Sequence, residues 1–200
     1  GETISLVVNR NLTSSGLGTV FTLDDAAAIA ADAWALGATE LCMQGGIHPD
    51  YELEDYGRWL ELAKEAAPQL HLHAYSPMEV ANMVDRSGRS PREVFEYLRG
   101  CGLGSTPGTA AEVLEDGVRE RISPNKLPAA RWVEIVEAGH AAGVPTTSTV
   151  MFGHIEEPWE LARHMKVIRD LQGRTGGITE FVPLSFIPFN TLLGREAYAA

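Results

Sequence analysis

Met43-Gln44-Gly45-Gly46-Ile47-His48-Pro49 follows directly on the apolar end of a strand-like run that begins at Thr39. Two adjacent glycines there permit backbone dihedrals closed to other residues and let the main chain approach a ligand closely. His48-Pro49 then sets a stiff exit before the next helix. A glycine turn at the carboxyl end of a strand is where α/β folds place small-molecule sites, although such turns also serve purely structural ends. The turn gains weight because similar strand ends, rich in Gly, His, Glu and Thr, recur along the chain.

Working outward, short apolar runs alternate with helical stretches and no linker intervenes. Strands are expected at Thr3 to Val8, Thr39 to Met43, Leu70 to Tyr75, a short run ending near Pro107, Val144 to Phe152 and Thr179 to Leu184. Helices are expected at Thr22 to Leu36, capped by Thr22 with Asp24 and Asp25 in its first turn, and at Tyr51 to Ala67. Ser90-Pro91-Arg92-Glu93 is a capping box with proline at the first helical position, opening a helix to about Cys101. Further helices are expected from Thr109 to Ile122, Pro128 to Ala142 and Pro158 to Leu171. This alternation implies right-handed βαβ units and a parallel sheet of about six β/α units. A closed eight-unit barrel needs roughly 250 residues. A partial (β/α) TIM-like barrel is therefore expected, ahead of a doubly wound sheet, whose dinucleotide glycine fingerprint is missing after the first strand.

The 200 residues carry a formal net charge of −11, which argues against nucleic acid or an anionic membrane surface as the main partner. No apolar run has the length of a membrane span and the start lacks signal-peptide regions, so a cytoplasmic location is expected. Cys42 and Cys101 are too far apart for a metal motif and read as small buried hydrophobes. Trp34, Trp59, Trp132 and Trp159 all lie on expected helices and read as packing residues.

In a parallel barrel the strand ends form one face, and that face holds the candidate chemistry. The first strand ends in Asn9, Arg10 and Asn11, and the second in Gln44, Gly45, Gly46 and His48. Strict alternation in Leu70-His71-Leu72-His73-Ala74-Tyr75 puts His71, His73 and Tyr75 on one face and the leucines toward the helices. Thr106-Pro107-Gly108-Thr109-Ala110-Ala111-Glu112 reads as a turn into a helix whose first amides could hold an anion. His154 and Glu156 follow the next strand, and Glu180 lies on the last. From these residues alone, the chain reads as a barrel-like enzyme for a small polar substrate.

Together, Gln44-Gly45-Gly46-Ile47-His48-Pro49, His71-Leu72-His73-Ala74-Tyr75-Ser76-Pro77-Met78-Glu79, Pro107-Gly108-Thr109-Ala110-Ala111-Glu112, Phe152-Gly153-His154-Ile155-Glu156 and Pro183-Leu184-Ser185-Phe186 resemble the CofH type of radical S-adenosylmethionine (SAM) enzyme, the second subunit or half of FO synthase. Futalosine-pathway menaquinone enzymes share two of these motifs but usually show a triple glycine where this chain has Gly108-Thr109-Ala110. The resemblance implies a radical SAM barrel over residues 1–200, S-adenosylmethionine and a four-iron–four-sulfur cluster. It further implies transfer of the hydroxybenzyl part of tyrosine to 5-amino-6-(D-ribitylamino)uracil, an electron donor such as ferredoxin or flavodoxin, and a partner in FO synthase subunit 1. By matched position, Gln44, Gly45, Gly46, His48, Thr109 and Glu180 would hold cofactor, and His73, Tyr75, Glu112 and His154 would serve the reaction; no metal ligand is assigned.

One departure stands out. The family carries Cys-x-x-x-Cys-x-x-Cys after the first strand, because three thiolates must hold the cluster. Here Asn9-Arg10-Asn11-Leu12-Thr13-Ser14-Ser15 matches the lead-in, and Gly16-Leu17-Gly18-Thr19 follows with no cysteine. The chain also stops before the last family segments. A loop missing from the sequence, a deliberate deletion, or a cluster-less binding scaffold would each account for this.

Overall fold

The computed structural model describes residues 4–8, 22–45, 47–189, 191 and 193–195. Five strands are present: β1 (Ile4–Val8), β2 (Glu40–Gly45), β3 (His71–Ala74), β4 (Thr146–Phe152) and β5 (Ile178–Ser185). Every pairing is parallel, β1 with β2, β2 with β3, and β4 with β5. Isolated parallel bridges, His73 to Ser105 and Thr106 to Thr146, join β3 to β4 through a sixth position only two residues long. Pro107 ends it, since proline offers no N–H to a ladder. The six expected β/α positions are therefore in order, in a partial barrel.

Among the described residues, seven helices link the strands: α1 (Leu23–Ala35), α2 (Leu53–Ala66), α3 (Pro77–Ser87), α4 (Pro91–Gly100), α5 (Asp116–Ile122), α6 (Ala129–Ala141) and α7 (Pro158–Thr175). α3, α4 and α7 open alike, with proline in the first turn and a glutamate at the third position closing a capping box on Ser76, Ser90 or Glu157. Leu41, Leu70 and Leu72 turn outward into a core shared with Leu53, Leu60, Val80 and Phe95. Trp132 centres a second cluster between α6, α7 and the 111–114 segment. Trp59 and Trp132 pack inside, but Trp34 and Trp159 are exposed, which corrects the expectation for those two. Trp159 instead carries the Arg163 guanidinium over its ring at 4.5 Å. Among the described residues, no helix is long and apolar enough to cross a membrane.

Two expectations give way here. The helix expected from Thr109 starts only at Asp116, because Ala110 and Glu112 both take positive φ, which a right-handed helix cannot propagate. The alternation expected through Tyr75 stops at Ala74, because Tyr75 has φ +62° and leaves the pleat.

Candidate active site

The outward leucines leave Glu40, Cys42, Gln44, His71 and His73 on the inner face of β2 and β3. At the carboxyl end of these strands, side chains from the strand tips and the following loops meet. The Thr109 hydroxyl donates to Gln44 Oε1 at 3.4 Å, which ties the loop after the short strand to the end of β2. Beside them, Gly45 N–H donates to Glu79 Oε1 at 3.2 Å. The other Glu79 oxygen accepts from Ser76 N–H and Ser76 Oγ–H, at 2.8 and 2.7 Å. Burial pushes the Glu79 carboxyl up, against the pull of these Ser76 and Gly45 donors. Glu79 thus caps α3 and fixes the glycine turn with one side chain. Sequence reasoning missed it as a site residue, although its signal, Ser76-Pro77-Met78-Glu79, was in plain view.

A first prediction follows from three donors meeting one carboxylate. Glu79→Gln offers a single acceptor oxygen and aims an NH2 at N–H groups, so it is expected to cost about 2 kcal/mol. Urea unfolding measures the loss, and amide exchange at Gly45 should quicken. An unchanged Gly45 exchange rate would mean that Glu79 does not hold the turn.

Gly108 sits against β4, where a Cβ would lie 1.9 Å from the Thr147 carbonyl oxygen. That close approach requires glycine. Gly108 N–H donates to Thr147 Oγ1, and Thr149 Oγ1–H donates to the Gly108 carbonyl. Beyond it, the buried Arg119 side chain collects the carbonyls of Ala110, Ala111 and Leu127. Burial lowers the Arg119 pKa, with Glu112 and Asp116 opposing that shift. Glu112 is half-buried beside this guanidinium, and its carbonyl accepts from Met151 N–H at 2.8 Å.

The remaining candidates scatter. His73 and Glu180 lie low in the barrel rather than at the carboxyl end: His73 bridges Ser105, and Glu180 pairs with Thr147 near the start of β4. Burial lowers the His73 pKa, with Glu40 and Glu180 pulling the other way and His71 reinforcing it. Tyr75 does not line the cavity as expected. Its left-handed backbone sends the ring under α2, where the hydroxyl donates to the Tyr56 carbonyl at 2.6 Å. His48 stacks on Tyr51 with ring centroids 3.9 Å apart, and its Nδ1 accepts from Asp50 N–H. His154 is buried within its own loop. Its Nδ1 accepts from Ile155 N–H and its Nε2 donates to the Met151 carbonyl, while Glu156 accepts from Gly153 N–H and His154 N–H. Glu156 Oε2 also stands 3.0 Å from His154 Nδ1. The side chains of His154 and Glu156 are buried. Gly46 and the Asn9-Arg10-Asn11 lead-in lie outside the described residues.

The sequence model of the Radical SAM superfamily matches residues 8–168. The chain belongs to this superfamily. A 5-amino-6-(D-ribitylamino)uracil–L-tyrosine 4-hydroxyphenyl transferase of Methanosarcina barkeri is 43% identical over 98% of this chain and 56% of its own length. The FO synthase of Streptomyces coelicolor is 47% identical over 84% of this chain and 19% of its own. This radical SAM chain therefore spans about half the length of the transferase it matches. Methylornithine synthase shares the fold at a TM-score of 0.58 and 12% identity, over 84% of this chain and 45% of the other.

The superfamily works with S-adenosylmethionine and a four-iron–four-sulfur cluster. Gly45, with the polar groups of Gln44 and Thr109 beside it, would stand next to the methionyl end of the first. The cluster does not fit this chain. Cys42 and Cys101 are free and buried, one inside β2 and one closing α4, and the sequence holds no third thiol. The M. barkeri alignment runs over 210 positions, more than the 200 residues available, so that relative carries residues this chain lacks.

Proposed function

We propose that this chain is the substrate-holding barrel of a cytoplasmic transferase that joins the 4-hydroxybenzyl part of tyrosine to 5-amino-6-(D-ribitylamino)uracil in deazaflavin (FO) synthesis. The observation that carries this is 43% identity across 98% of the chain to a protein named for that transfer. The polar strand tips support it. Gln44 and Thr109 offer an amide and a hydroxyl, Gly45 has no side chain to block a close ligand, and half-buried Glu112 follows on the same loop as Thr109. The names of the matching relatives favour this over the futalosine reading. In this proposal the chain binds and orients substrates. An electron donor such as ferredoxin or flavodoxin, and FO synthase subunit 1, complete the pathway in the full system.

Calorimetry with tyrosine, ribitylaminouracil and S-adenosylmethionine tests it. Heat is expected for at least one of the three, and Gln44→Ala combined with Thr109→Val should weaken that binding about tenfold, the worth of one or two lost hydrogen bonds. Silence for all three overturns the proposal. Heat with a purine nucleoside derivative alone would move the assignment to the futalosine route.

A further inference from the structure

The lower end of the barrel holds a group of side chains that the proposed transfer does not use. Glu40 opens β2 and pairs across the strands with His71, while His73 pairs with Cys42 one layer above. Gln44, at the carboxyl end, lies four residues beyond Glu40, about 13 Å along the strand. One ligating atom from each of Glu40, His71 and His73 lies within 4.8 Å of the others. His71 Nε2 stands 3.8 Å from a Glu40 oxygen. The Ser105 hydroxyl is 2.7 Å from that Nε2 and 2.6 Å from His73 Nδ1. A hydroxyl has one proton, so it donates to one ring and accepts from the other. Both ring nitrogens thus converge on the Ser105 oxygen.

That convergence is built into the backbone. A Cβ on Gly104 would meet the His71 ring at 2.4 Å, so the imidazole lies against bare main chain where any larger residue would push it aside. His73 is held beneath it, buried, while the Glu40 and His71 side chains are 40% and 42% exposed. An ion could therefore enter from solvent at the rim and meet a ligand that is already out of water.

We propose that Glu40, His71 and His73 form a divalent-metal site of the zinc or ferrous type at the amino-terminal end of the barrel, with the Ser105 hydroxyl beside its open fourth position. Two imidazoles and one carboxylate are the donor set of open zinc centres and of ferrous facial triads. Bonds of about 2.0–2.1 Å in a tetrahedral site put ligand atoms about 3.4 Å apart, so the three side chains must draw together and the Ser105 hydroxyl must swing off the line between the rings as the ion enters. Glu180, within electrostatic range of His73, adds a second negative charge facing the ion. The competing reading is a hydrogen-bond clamp, His71–Ser105–His73, that does nothing but fasten the short strand to β3.

The two readings separate in a titration of the chain with Co2+ and then Zn2+, followed by calorimetry and visible absorption. The metal site predicts one equivalent bound at micromolar affinity or tighter, with the d–d bands of four-coordinate cobalt, bleached when zinc displaces it. Glu40→Gln, at the exposed rim, should leave the circular dichroism and melting temperature of the metal-free chain unchanged. It should nevertheless weaken cobalt binding by more than the roughly 10–100-fold that an outer-shell partner costs. His73→Asn should do the same, and Ser105→Ala should stay within the outer-shell range. Binding only at millimolar metal, or binding indifferent to Glu40→Gln, overturns the proposal in favour of the clamp.

Discussion

Arg119→Met is expected to destabilise the protein by about 4 kcal/mol, the cost of stripping a buried, fully bonded charged group from its partners. The guanidinium is buried and its three nitrogens donate to the carbonyls of Leu127, Ala110 and Ala111. Among the described residues no carboxylate lies within ion-pair distance; the three carbonyls bond the charge directly, and Glu112 and Asp116 act on it from farther away. Methionine fills much of the volume but leaves three carbonyls without a donor. Lysine places one ammonium where a planar fork is needed, so Arg119→Lys should recover less than half of the loss. Because Ala110 and Ala111 lead into Glu112, whose carbonyl receives Met151 N–H, the damage should spread into β4. Equilibrium urea unfolding gives the energy, and exchange of the Met151 amide reports the local effect. A loss under about 1 kcal/mol would mean that the 109–115 segment holds its shape without the arginine.

This loop is also where sequence logic failed most clearly. Thr109-Ala110-Ala111-Glu112-Val113-Leu114-Glu115 has good helix formers behind a plausible cap, so local propensity argues for a helix. Tertiary contacts win. Arg119 reaches back to two carbonyls that a helix would have used, and β4 takes a third. Local propensity spans only tenths of a kcal/mol per residue, too little to resist several buried hydrogen bonds. At α3 the failure ran the other way. Ser76-Pro77-Met78-Glu79 is the same cap as Ser90-Pro91-Arg92-Glu93, but it follows so closely on a strand that its helix-start signal is masked. Where signals were local and periodic, as in the strand–helix alternation and the outward leucines, sequence and structure agree. Gln44 and Thr109 are legible as strand-end residues, and a hydrogen bond joins them in the structure. The grouping of Glu40 with His71 was not legible, because it depends on the register between two strands, which one-dimensional patterning leaves open.

Lowering the pH from neutral to about 4 should weaken the protein by about 3 kcal/mol through His164 alone. His164 is fully buried on α7, its Nδ1 accepting from Leu114 N–H at 3.0 Å. Burial chiefly, then the nearby Arg119 guanidinium, brings its pKa down to about 4, against a weaker pull from the Thr149 backbone. The unfolded chain has an ordinary imidazole near 6.5. Between those values the unfolded state takes a proton that the folded state refuses, so stability falls as pH drops. Above 6.5 both states are neutral and this contribution is complete; below 4 both are protonated and the loss stops growing. Carboxylates titrate over part of the same range, and His140 is also held below its ordinary value by burial. A comparison with His164→Gln, which keeps an acceptor for Leu114 but cannot be protonated, removes those shared effects. The difference in unfolding free energy between the two proteins should change by about 3 kcal/mol from pH 7 to pH 4. Titration of the His164 ring by NMR gives the same quantity directly. A midpoint near 6.5 would show that burial beside Arg119 exacts no penalty on the charged ring.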